Sequence, residues 1–147
     1  MRWFMNVWFP FLGAGIRVTR LDADWKAIDV EMKLRSWNSN YVGTHYGGSL
    51  YSMTDPFYML MLIENLGRDY IVWDKSATIR FRKPGQGTVT ARFRLSDVQI
   101  AAIRQQLETE DRVQPTFRVE VQDERDEVVA EVEKMLHVRK KIVAAAS

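Results

Sequence analysis

The residue of this sequence best placed to do chemistry is a carboxylate inside an apolar stretch. From Ser49 to Leu66, in SLYSMTDPFYMLMLIENL, only Asp55 and Glu64 carry charge. Asp55 stands seven positions after Gly48, about two turns at 3.6 residues per turn, so in a continuous helix it returns to the face on which that helix begins. The preceding run, Asn40-Tyr-Val-Gly-Thr-His-Tyr-Gly-Gly48, has the glycines and asparagine of tight turns and close backbone approach. Three readings of Asp55 stand side by side. It is the N-cap of a helix that starts late, with Pro56 at the first helical position. It is a buried acid satisfied by local hydrogen bonds beside a kink at Pro56. Or it is a catalytic carboxylate whose basicity is tuned by desolvation.

Other constellations offer less. The two histidines, His45 and His137, lie far apart without spaced acidic partners, so no metal site is expected. Ser49 and Ser52 lie near the loop, but no G-x-S-x-G elbow accompanies them. The absence of cysteine removes disulfides, thiolate ligands and a cysteine nucleophile, and it fits a reducing cytosol. Tyr51, Met53, Phe57, Tyr58, Met59 and Met61 form core or line an apolar tunnel, and the sequence does not separate the two.

The chemistry needs a frame. A helix with no polar face over residues 49–66 must be wrapped by other elements. Strands supply the wrapping. Ile28, Val30, Met32 and Leu34 alternate with Asp29, Glu31, Lys33 and Arg35, and similar alternation marks 16–21, 70–82, 89–95, 117–122 and 128–139. These six strands form three candidate hairpins with one apolar and one charged face. Ser96 with Gln99 makes a capping-box start for a lateral helix carrying Ile100, Ile103 and Leu107. Trp3, Phe4, Val7, Trp8 and Phe11 suggest a short amphipathic helix packing on the body or on a partner. The expected fold is α+β, a curved antiparallel sheet around one apolar helix, in a single domain spanning 1–147. Arg80, Arg82, Arg92, Arg94, Arg118, Glu120, Glu131 and Glu133 read as a solvated sheet face with cross-strand ion pairs. Interleaved charges summing to +2 give little support for nucleic-acid binding. Asp55, Pro56 and Glu64 argue against a membrane span in the apolar stretch. Asn6 and Pro10 interrupt the apolar N-terminus, which is read as part of a soluble protein. Tyr70 and Trp73 on an expected sheet edge favour pairing with a second copy, hence a homodimer.

The spacing N-x2-G-T-x2-G-G-x6-D from Asn40 to Asp55 resembles the hot-dog-fold thioesterase superfamily, especially the phenylacetate-pathway type of acyl-CoA thioesterase. GTHYGGSLYSMTDPFYMLML and YIVWDKSATIRFRKPG look like a branch filed as a domain of unknown function. The resemblance implies a hot-dog fold and an acyl-CoA or other acyl-thioester substrate. It makes Asp55 the general base or nucleophile, Asn40 the group orienting water, and Gly47, with Gly48, the backbone donor to the thioester oxygen. It also implies that the Asp and the Asn-Gly loop of one site come from different protomers. Thr44, His45, Tyr46, Tyr51 and Ser76 are candidate substrate contacts. Relatives often carry His immediately before the two glycines, where Tyr46 stands here, and Asp74 competes with Ser76 for the place of an assisting hydroxyl.

The expected function is a cytoplasmic acyl-CoA thioesterase acting by Asp-assisted water attack, with no cofactor beyond the CoA of its substrate. A non-catalytic acyl-thioester or lipid-binding dimer is the alternative, and an enoyl-thioester hydratase a third. The homodimer could associate further, although a charged sheet face argues against a dry face-to-face tetramer.

Overall fold

In a computed structural model, which describes residues 1–142, one antiparallel sheet carries most of the chain. Its strands are β1 (Ile16–Leu21), β2 (Ala27–Lys33), β3 (Tyr70–Phe81), β4 (Thr88–Arg94), β5 (Arg112–Val113), β6 (Thr116–Gln122) and β7 (Val128–Lys140). The spatial order is β1-β2-β4-β6-β7-β3, with the short β5 added to β7. The sheet thus has seven strands, one more than the alternation suggests, because two residues suffice to pair Arg112 with Arg139 and Val113 with Val138. Of the three expected hairpins, β1–β2 and β6–β7 form. β3 and β4 do not pair: β3 crosses to β7, while β4 lies between β2 and β6. β3 is therefore the expected edge strand, carrying Tyr70 and Trp73.

Among the described residues five helices accompany the sheet: α1 (Arg2–Val7), α2 (Phe9–Ala14), α3 (Gly47–Ser52), α4 (Phe57–Leu66) and α5 (Asp97–Thr109). The apolar stretch does not form one helix. A proline lacks the N–H for a helical bond, its ring clashes with the carbonyl four residues back, and the residue before it is steered away from helical dihedrals. Pro56 imposes all three conditions, so the helix ends at Ser52 and resumes at Phe57. Phe57, Tyr58, Met61, Leu62 and Leu66 of α4 are buried with Ile28, Val30, Met32, Val89, Ala91 and Phe93 of the sheet. Each Val, Leu, Ile, Met or Phe among them contributes about 1.5–3 kcal/mol on burial. α5 starts at the Ser96–Gln99 capping box and buries Ile100, Ile103 and Leu107.

The N-terminal segment departs from expectation. Pro10 and the extended Trp8 divide it into two short helices that pack through Met5 and Phe11. Trp3, Phe4 and Phe9 project outward, so of the two expected supports, body or partner, the body takes Met5 and Phe11. The opposite sheet face carries ion pairs such as Arg94–Asp29 at 2.7 Å and Arg82–Glu131 at 2.7 Å, as the charge alternation predicts.

Candidate functional site

Asp55 lies in the gap between α3 and α4, which its neighbours hold shut. The Met53 N–H reaches the Ser49 carbonyl, the Thr54 hydroxyl donates to the Tyr51 carbonyl at 2.7 Å, and the Leu60 N–H reaches the Pro56 carbonyl. No side chain caps α4, so Asp55 is not its N-cap. Its carboxylate turns to the sheet, where Lys134 Nζ donates to Asp55 Oδ1 at 2.6 Å.

Lys134 is the residue that sequence reading missed. It sits on β7 with its side chain only 1% exposed, and it pairs on its other side with Asp74 Oδ2 at 3.0 Å. The Tyr51 hydroxyl is 3.4 Å from the same nitrogen, with its ring centroid 5.5 Å away. One ammonium thus holds two carboxylates and a phenol. Desolvation pushes Asp74 above the usual carboxylate range, and the nearby Asp55 charge adds to the rise while Lys134 opposes it. Desolvation draws the Lys134 ammonium down, but bonds to Asp55 and Asp74 outweigh it, so Lys134 stays charged with its value raised. Asp74 reaches the cluster at an irregularity in β3–β7 pairing between Asp74 and Ser76. Ser76 follows on an exposed stretch and is not one of the cluster's hydrogen-bonding residues.

The Asn40–Gly48 loop forms a second group. Asn40 Oδ1 accepts from the Thr44 N–H at 2.9 Å and from the Val42 N–H at 3.1 Å, while Asn40 Nδ2 donates to Thr44 Oγ1 at 2.9 Å. Asn40 and Thr44 therefore close the turn on themselves. His45 is buried, with Nε2 2.8 Å from the Gly87 carbonyl, and its backbone N–H reaches the Gly85 carbonyl. That contact fixes the proton on Nε2, and burial holds the imidazole below its ordinary value. Tyr46 is exposed immediately before α3. The first N–H groups of any helix lack intrahelical acceptors, and in α3 these belong to Gly47 and Gly48. The loop borders a cleft of about 430 Å³ lined by Asn40, Thr44, His45, Gly47, Leu50 and Phe81, among others. Asp55 is not among the lining residues of this cleft. Within one chain, then, the structure joins Asp55 to Tyr51, and Asn40 to Thr44, His45 and Gly47, as two separate groups.

Residues 1–138 match the family model of a domain of unknown function, DUF4442. No curated protein matches the sequence. Among solved structures, a Pseudomonas aeruginosa protein of unknown function, PA5026, a probable thioesterase, superposes with a TM-score of 0.82 at 21% identity, over 95% of this chain and 93% of that one. The thioesterase HI1161 of Haemophilus influenzae gives 0.68 at 14% identity, over 97% and 91%. PaaI of E. coli, from the phenylacetic acid degradation operon, gives 0.64 at 16% identity, over 95% and 88%.

Proposed function

This chain belongs to the DUF4442 family and has the hot-dog fold, and from that premise we propose that it is a cytoplasmic acyl-CoA thioesterase working as a homodimer. The observation that carries the reading is the Asp55 carboxylate, presented at a break between two helices and held by one oxygen. Thioesterase relatives of the same fold support the reaction class. Asp55 takes a proton from a water as that water's oxygen bonds to the thioester carbonyl carbon. The resulting oxyanion accepts hydrogen bonds from the Gly47 and Gly48 N–H groups, an effect worth about 3 kcal/mol per donor. Collapse of the tetrahedral intermediate breaks the C–S bond, the proton held by Asp55 passes to the departing sulfur, and the CoA thiol and the carboxylic acid leave with the Asp55 carboxylate restored.

Because Asp55 and the glycine loop fall in separate groups of one chain, the site is completed by the loop of a second copy. The twelve-residue edge strand β3 and the exposed loop residues Tyr41, Val42 and Tyr46 offer the surface for that copy. Tyr46 and His45 flank the acyl-thioester cleft, and Tyr51 fixes the base end.

One observation favours the alternative, a non-catalytic acyl-thioester or lipid-binding dimer: the Asn40 carboxamide is already engaged within its own loop. Thiol release from short, long and aromatic acyl-CoAs, with Asp55→Ala alongside, separates the two. Turnover lost in a folded, dimeric Asp55→Ala protein supports the thioesterase. Binding of acyl-CoA without thiol release by wild type would replace it with the binding module, and loss of enoyl absorbance would mark a hydratase.

A further inference from the structure

An ammonium has three N–H donors. Those of Lys134 face Asp55 Oδ1 at 2.6 Å, Asp74 Oδ2 at 3.0 Å and the Tyr51 hydroxyl at 3.4 Å, which leaves none for a substrate oxygen. The side chain is also buried, so it does not meet a ligand directly. No bond from a described residue engages Asp55 Oδ2, and the Asp55 side chain is 43% exposed while Lys134 is sealed beneath it. We infer that Lys134 and Asp74 are a positioning pair that holds Asp55 by Oδ1 and turns Oδ2 toward the reacting water.

The pair rests on the thioesterase reading for its use, and on geometry alone for its existence. Lys134 lies on β7 and Asp74 on β3, so the anchor is rigid sheet while Asp55 stands on a turn. A turn carboxylate left to itself samples many orientations, and fixing one of them is what raises the fraction of productive encounters. The titratable groups meeting at the cluster are Asp55 from the α3–α4 turn, Tyr51 from α3, Asp74 from β3 and Lys134 from β7. Of the two carboxylates Asp74 is the more enclosed, its side chain 27% exposed against 43% for Asp55. Burial already disfavours its charged form, and one of its oxygens, Oδ1, is buried without a partner.

Two measurements on the full chain test this. The first is a carboxylate carbon NMR titration of Asp74, which needs no turnover. Asp55→Asn removes a neighbouring charge and moves the Asp74 midpoint down, whereas Lys134→Met removes the cation and moves it up, each by roughly one pH unit or more. A midpoint that stays put in either variant, or moves the same way in both, overturns the pair. The second is the kcat/KM profile of thiol release. Lys134→Met lowers kcat at least about tenfold with KM nearly unchanged, and Lys134→Arg restores part of it, because the charge returns with a different geometry. Asp74→Asn, which removes no buried cation and so keeps the fold testable, lowers kcat less than Lys134→Met does, again with KM nearly unchanged. Equal effects on kcat and KM, or no rescue, would overturn the positioning role. If the NMR shifts occur and no variant, wild type included, releases thiol, the pair stands and the hydrolase reading falls.

Discussion

The Tyr46 ring lies over Gly48 so closely that a Cβ at position 48 would stand 2.5 Å from Tyr46 Cε1. Tyr46 is 59% exposed, so it can swing into solvent and admit the methyl group. Gly48→Ala is therefore expected to keep its thermal midpoint, yet to lose thiol release by roughly tenfold, because the methyl stands beside the N–H groups proposed to receive the oxyanion. Thermal melts and kcat/KM on one preparation check this. Unchanged turnover would remove the start of α3 from the chemistry.

Gly47 makes the complementary case. A Cβ there would meet Phe81 Cζ at 3.0 Å, close enough that the neighbour must give. Phe81 sits on the edge strand β3, 56% exposed, so the ring can shift but the strand end moves with it. Gly47→Ala is expected to lower the urea midpoint as well as turnover, by about 1 kcal/mol in stability. Stability equal to that of Gly48→Ala would show that Phe81 yields freely.

Tyr58 tests the core beneath the site. Its ring stacks on Phe117 at 4.6 Å and its hydroxyl donates to the Arg118 carbonyl at 3.2 Å. Tyr58→Phe keeps the stack and loses only the bond, for an expected cost of about 1 kcal/mol. Tyr58→Ala empties the space between α4 and the sheet and is expected to cost about 3–5 kcal/mol. Chemical denaturation of both variants measures the difference, and similar costs would mean that the hydroxyl, not the ring, carries the contribution.

The sequence shows the frame more readily than the site. Alternation at Ile28, Val30 and Met32, and the Ser96 capping box, are local signals, so β2 and the start of α5 stand where the pattern puts them. Pairing is not local. Nothing in residues 70–95 says that β3 skips β4 for β7, a choice set by how the sheet wraps α4. Pro56 was legible as a breaker, but the apolar composition of residues 49–66 concealed that the break would free Asp55. The signal for Lys134 was present: the inward row Val128, Ala130, Val132, Lys134, Leu136, Val138 contains one cation. Its meaning appears only when Asp55 and Asp74 arrive from elsewhere in the chain to satisfy it.

His45 makes stability depend on pH. Burial lowers its value in the folded chain, so the unfolded chain binds the proton more readily. Its contribution is complete above about pH 6.5, the ordinary histidine value, and is lost as pH falls below that toward the folded value. His45→Gln keeps an N–H for the Gly87 carbonyl without titrating, so its thermal midpoint is expected to fall less steeply between about pH 6.5 and 5. The buried His137, also lowered, keeps part of the slope in both proteins. Identical slopes would show that His45 opens to solvent before it is protonated.

A site shared between protomers has a consequence that no single-chain site can imitate. Asp55→Ala alone and Asn40→Ala alone each damage both sites of a homodimer. In a mixed dimer built as proposed, with the Asp55 of one protomer working with the loop of its partner, one site receives both lesions and the other receives neither. Random exchange makes about half the dimers mixed, each with one intact site, so the mixture is expected to recover about a quarter of wild-type turnover. Activity after unfolding and refolding the two variants together, against each refolded alone, measures this. Within one chain the two residues have different partners: Asn40 is tied to Thr44 and His45 in its own loop, and Asp55 to Lys134 on the sheet. No recovery from variants that individually refold and dimerise would place both residues in one chain's site, and the dimer would then be incidental to the chemistry.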